Sequence, residues 1–101
     1  MVYLTRRAGV KSGKFREAIT WAKEVAEFVN NKYGTSFNVY SQIYGDQPVG
    51  TVFWVSKYES RSKIEEVANK LGEDQEYMGR LQGFAELFVE GTTHDSVLEK
   101  H

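Results

Sequence analysis

A few short stretches of this sequence carry residue types that can do chemistry. Gly9-Val10-Lys11-Ser12-Gly13-Lys14-Phe15 lies between a strand pattern and a helix pattern, where a phosphate-cradling loop would sit. It is one residue short of the P-loop spacing, and Phe15 stands where Ser or Thr would bind magnesium. A plain strand-to-helix turn accounts for it, with a weak anion site beside Lys11 and Lys14 as the sharper alternative. His94-Asp95-Ser96 holds the letters of a catalytic triad, but adjacent residues cannot form its relay, since the histidine must lie between the other two in space. That stretch reads as a flexible tail. Glu73, Asp74 and Glu76 are the acidic cluster a metal would need, and charges opening a helix explain them more simply. No metal and no cofactor is expected.

Composition removes further classes. The 101 residues suit one domain, 41% of them are apolar, and 14 are aromatic, enough for a core. There is no cysteine, which excludes disulfides, zinc-thiolate sites and thiol nucleophiles together. The formal charge of -1 argues against a general nucleic-acid or anionic-membrane binder. It divides into +4 over residues 1–58 and -5 over 59–101, a split that can steer self-association although solvated helix faces also produce it. No apolar run is long enough to span a membrane and no leader pattern opens the chain, so a cytoplasmic address is the default expectation.

The elements that must position any site follow from periodicity. Val2 to Ala8 alternates as a strand, with Val2 and Leu4 on one face and Tyr3, Thr5 and Arg7 on the other. Apolar residues recur at three and four from Phe15 to Val29, predicting a helix over about 14–33 that ends at Gly34. Strands are predicted over 36–44 and 51–58, joined by the Gly45–Gly50 hairpin connection, which is too short for a crossover helix. A second helix opens near Ser60 or Ser62, where Ser62-Lys63-Ile64-Glu65 has capping-box spacing, and Gly72 is expected to stop it. Asp74 caps a short third helix over 75–81, with Tyr77, Met78 and Leu81 inward. Phe84 to Glu90 reads as the last strand, and residues 91–101 as a C-terminal tail of the single domain.

The order β-α-β-β-α-β is the ferredoxin-like split βαβ, an α+β fold whose helices cover one face of a four-stranded antiparallel sheet. Val2, Leu4, Phe37, Val39, Ile43, Phe53, Val55, Leu87 and Val89 are expected on the covered face. The open face would then carry Tyr3, Arg7, Tyr40, Gln42, Tyr44, Trp54, Phe84, Glu86 and Phe88. A sheet facing water should be mostly polar there, so a face this aromatic needs a cover, and a second copy of the chain is the simplest one. The topology is shared with RNA-recognition modules, and Tyr3 fits their first strand. Thr51, however, occupies the stacking-ring position of the third strand, and no Lys or Arg precedes Gly50. No nucleic-acid partner is expected.

Taken together, the Gly13-Lys14 helix start with Glu17 after it, Gly50-Thr51-Val52, Asp74-Gln75-Glu76-Tyr77 and the ending Leu87-Phe88-Val89-Glu90-Gly91-Thr92 resemble the dimeric α+β barrel superfamily. That superfamily includes antibiotic-biosynthesis-type monooxygenases and NIPSNAP-like proteins, and the similarity runs over about residues 2–92. The resemblance implies two subunits packed sheet to sheet around a barrel, often with a pocket for a small organic molecule. It also implies a range of activities, from cofactor-free oxygenase to haem degradation to none. Haem-degrading relatives use a histidine near the pocket, whereas the only internal histidine here, His94, lies beyond the expected last strand.

The expected protein is therefore a homodimer that binds, and in one reading converts, a small partly aromatic molecule between sheet and helices. Tyr40, Trp54 and Phe88 would form the apolar wall, Arg7 would hold a carboxylate or oxyanion, and Glu86 or Tyr3 would move a proton. Gln42 joins them on the same strand parity. The rival is an interaction module in which dimerisation is the whole purpose of the face, with a cofactor-free oxygenase as the third reading.

Overall fold

The structure, a computed structural model, describes residues 1–101. The elements run β1 (Val2–Ala8), α1 (Phe15–Tyr33), β2 (Asn38–Ser41), β3 (Val52–Tyr58), α2 (Arg61–Glu73), α3 (Gln75–Leu81), α4 (Phe84–Leu87) and β4 (His94–Glu99). All pairings are antiparallel, and the sheet order is β2-β3-β1-β4. This is the expected ferredoxin-like α+β fold, with the helices on one face. No helix is long and apolar enough to cross a membrane.

The small residues of α1 decide how closely it lies on the sheet. Ala18, Ala22, Val25, Ala26 and Val29 are buried, and the Trp54 indole N–H donates to the Ala22 carbonyl at 3.4 Å. Gly34 ends the helix at φ 68°, a conformation that costs an L side chain its Cβ clearance, and its N–H returns to the Asn30 carbonyl. The second helix starts at the first of its two expected positions: the Ser60 hydroxyl accepts the Lys63 N–H, and Ser62, the expected capping-box serine, lies inside the helix. Gly72 does not stop it either. The break falls at Asp74, whose extended backbone leaves α2 and whose carboxylate accepts the Tyr77 N–H to open α3. Met78 turns out exposed, while Tyr77 and Leu81 are half-buried.

The last strand is not where alternation put it. Phe84–Leu87 is a single helical turn, Phe88 makes only an isolated bridge to Val10, and the strand is the supposed tail, His94–Glu99. Phe84, Leu87 and Phe88 stand at helical rather than strand spacing, and packing satisfies them there: Phe88 stacks on Phe84 at 4.6 Å and tilts against Trp21 and Trp54. The true β4 shows little pattern because it is an edge strand exposed along its whole length. Its place comes from backbone pairing with β1, across which Arg6 and Asp95 also meet, and not from burial. Val89, expected in the core, is 42% exposed.

Two further expectations about faces are corrected. On β3 the parity is reversed: register pairs Arg6 with Trp54 and Ala8 with Val52, so Val52, Trp54, Ser56 and Tyr58 face the helices while Phe53 and Val55 take the open side. Both faces of β3 read as apolar, and only pairing with β1 selects one. The strand β2 is also short. Ile43 and Tyr44, read as its continuation, are 85% and 93% exposed in the β2–β3 loop.

Candidate functional site

Between sheet and helices lies a cavity of about 130 Å³. Its floor is Leu4, Arg6, Trp54 and Tyr58 from the two central strands. Trp21, Val25 and Val29 of α1 form one wall, Ile64, Val67 and Leu71 of α2 another, and Tyr77, Leu81 and Phe84 close the rest. Arg6 is the only charged lining residue. It is there because β1 alternates: positions 2, 4, 6 and 8 share the helix-side face, and Arg6 stands on it between half-buried Leu4 and buried Ala8.

Arg6 does not stand free. Its Nε and Nη2 donate to the two Asp95 oxygens at 2.7 and 2.8 Å, a bidentate pair across the β1–β4 register. The bonds from Arg6 hold the Asp95 carboxyl below its ordinary range. Tyr77 lies beside this pair: burial pushes its phenol up, and the nearby guanidinium draws it only part of the way back. The phenol is neutral at pH 7, able both to donate and to accept.

A second polar cluster fixes where Tyr77 sits. Asp74, buried at the α2–α3 break, accepts from Lys32 Nζ at 2.7 Å, from the Tyr33 hydroxyl at 2.5 Å and from the Tyr77 N–H at 3.0 Å. Those bonds, led by the one from Lys32, hold its carboxyl far below the usual range. They also tie the start of α3 to the end of α1. Asp74 thus acts as a cap and a tie, while Glu73 and Glu76 beside it are exposed.

The sequence-predicted site residues are divided by this geometry. Trp54 forms the cavity floor, and Phe88 is packed behind it, 5.6 Å from the Trp54 ring. Both lie on the helix side, opposite to the face expected for them. Tyr3, Arg7 and Tyr40 lie on the open face, where register sets Tyr40, Phe53, Arg7 and His94 in one row across the sheet and Lys57, Tyr3 and Leu98 in another. Gln42 has left the strand and secures the β2–β3 loop, its side-chain amide donating to the Gln47 carbonyl. Glu86 sits exposed on α4, away from the expected strand. The Gly9–Lys14 turn is committed to the fold: the Lys11 N–H donates to the Leu87 carbonyl and the Gly9 N–H to the Thr92 hydroxyl. Sequence reasoning missed Arg6 and the role of Tyr77. The inward placement of Tyr77 behind the Asp74 cap was the available signal; that of Arg6 was hidden by its charge on an otherwise apolar face.

Compared by sequence, the chain matches no family model and no curated protein. Its fold has many solved counterparts. An uncharacterised NIPSNAP domain protein from Burkholderia xenovorans superposes with a TM-score of 0.84 at 14% identity, over 100% of this chain and 95% of that one. A NIPSNAP family protein from Agrobacterium tumefaciens gives 0.82 at 18% identity, over 99% and 92% of the two chains. A candidate antibiotic biosynthesis monooxygenase from Nitrosomonas europaea gives 0.71 at 16% identity, over 99% and 98%. The chain therefore has, over its full length, the α+β fold of the NIPSNAP-family and antibiotic-biosynthesis-monooxygenase-like proteins.

Proposed function

We propose that this protein is a homodimer that binds a small organic molecule in the cavity between its sheet and its helices. The observation that carries the reading is the cavity itself: an apolar space of about 130 Å³ with Arg6 as its only charged wall. Neighbouring apolar side chains tend to close on a space of this size, because each missing contact costs dispersion and burial energy. An apolar cavity of about 150 Å³ can hold a benzene ring, so a single small ring is the right scale of ligand.

The dimer rests on the open face. No helix covers Tyr3, Phe53, Val55, Tyr40 and Leu98, and an open sheet of that composition favours burial against a partner. The resemblance of the sequence to the dimeric α+β barrel superfamily implies the same arrangement. The interaction-module reading differs only in leaving the cavity without a ligand.

Ligand binding is tested by melting the protein in the presence of toluene. A ligand that binds only the folded state at a hundred times its Kd stabilises by about 2.7 kcal/mol, so Tm should rise. Val67→Phe, which fills the cavity, should abolish the rise. An unchanged Tm up to the solubility limit of toluene, together with no response of Trp21 and Trp54 fluorescence, would defeat the ligand reading and favour the interaction module.

A further inference from the structure

The cavity has a polar end whose charges cancel, and that decides what kind of molecule it can accept. Arg6 spends Nε and Nη2 on the Asp95 carboxylate, so the guanidinium at the wall carries its counter-charge with it. The two indole N–H groups of the lining are also committed, Trp21 to the Arg80 carbonyl and Trp54 to the Ala22 carbonyl. The Tyr77 hydroxyl, beside Arg6 and able to accept from it, keeps its own O–H to donate to a guest at that end, and Tyr58 is the other hydroxyl of the lining.

Resting on the ligand-binding reading above, we infer that the cavity is a site for a neutral single-ring molecule with one hydrogen-bonding group, of the phenol class, and that the Arg6–Asp95 pair makes it reject the corresponding carboxylate. Size sets the scale, because about 130 Å³ matches a single ring. Charge sets the class. A carboxylate entering apolar walls loses its hydration, and a guanidinium already held by Asp95 offers little net attraction in return. A phenol loses far less and can pair with Tyr77. Asp95, outside the lining itself, thereby acts as a specificity residue through Arg6.

The test uses the full chain and three probes followed by fluorine NMR: 4-fluorophenol, fluorobenzene and 4-fluorobenzoate at pH 7. Wild-type protein should bind the phenol about tenfold or more tightly than the benzoate. Tyr77→Phe should bring the phenol down to the affinity of fluorobenzene. Asp95→Asn, which frees the Arg6 charge, should raise benzoate affinity about tenfold while leaving fluorobenzene unchanged. Benzoate binding to the wild type as tightly as the phenol would overturn the inference, and so would an unchanged benzoate affinity in a folded Asp95→Asn variant. If fluorobenzene and the phenol bind but without these preferences, only the charge-selection idea fails. If none of the three binds, the ligand-binding reading falls and takes this inference with it.

Discussion

Phe88 shows how much a single ring can carry in a chain of this size. It is 1% exposed and touches Trp21, Trp54 and Phe84, so the back of the cavity and the crossing of α1 over the sheet meet on it. Truncation to Ala should cost about 3–5 kcal/mol, the usual range for deleting a buried aromatic, and urea unfolding followed by circular dichroism will measure it. A loss below about 1 kcal/mol would mean that the aromatic cluster is loosely packed. Arg6 has the opposite character, being half-exposed and useful because of its partner. As a surface ion pair it contributes little to stability, and under the proposed function its significance is that Asp95 cancels the charge it would otherwise present to the cavity.

Two elements are held by means that their apolar residues do not reveal. The short α3 has no fully buried residue and depends on the Asp74 tie to α1. Asp74 is depressed in the folded state, so its stabilising contribution is complete above the unfolded carboxylate range and is lost as pH falls through that range toward the folded value. Acidification from about pH 5 downward should therefore lower stability, and Asp74→Asn should remove part of that slope while weakening the protein at pH 7. Denaturation curves across pH 2.5–7 for both proteins decide it, and identical slopes would refute the tie. The edge strand β4 is held by its ladder to β1. Deleting residues 92–101 should expose the outer edge of β1 and accelerate exchange of those β1 amide protons that donate to β4. A mobile tail would leave their protection unchanged.

At the scale of the whole molecule the sheet has one face under helices and one without, and the uncovered face carries Tyr40, Phe53 and Tyr3 on three adjacent strands. A homodimer through this face should appear in light scattering at micromolar concentration, with a Tm that rises with protein concentration. Phe53→Asp should yield a monomer with an unchanged circular dichroism spectrum, since Phe53 faces away from the helix-side core. A wild-type monomer at that concentration would end the dimer proposal. The cavity lies on the other side of the sheet, so the Asp substitution should leave a ligand-induced Tm shift intact if each subunit binds on its own.

Periodicity and punctuation were sufficient for the local elements: the α1 stripe with its Gly34 stop, the Asp74 cap, the faces of β1 and the β-α-β-β-α-β order could all be read along the chain. These depend on contacts a few residues apart, and a single sequence records such spacing directly. The face of β3, the identity of β4 and the membership of the cavity depended on register between residues far apart. Val52 to Tyr58 is apolar on both sides, so its parity waited on pairing with β1. Phe84 to Phe88 carries more apolar side chains than His94 to Glu99, yet the first became a helical turn and the second a strand. Burial rewards side chains wherever the fold encloses them, whereas an edge strand is won by backbone hydrogen bonds, which leave almost no mark on residue type.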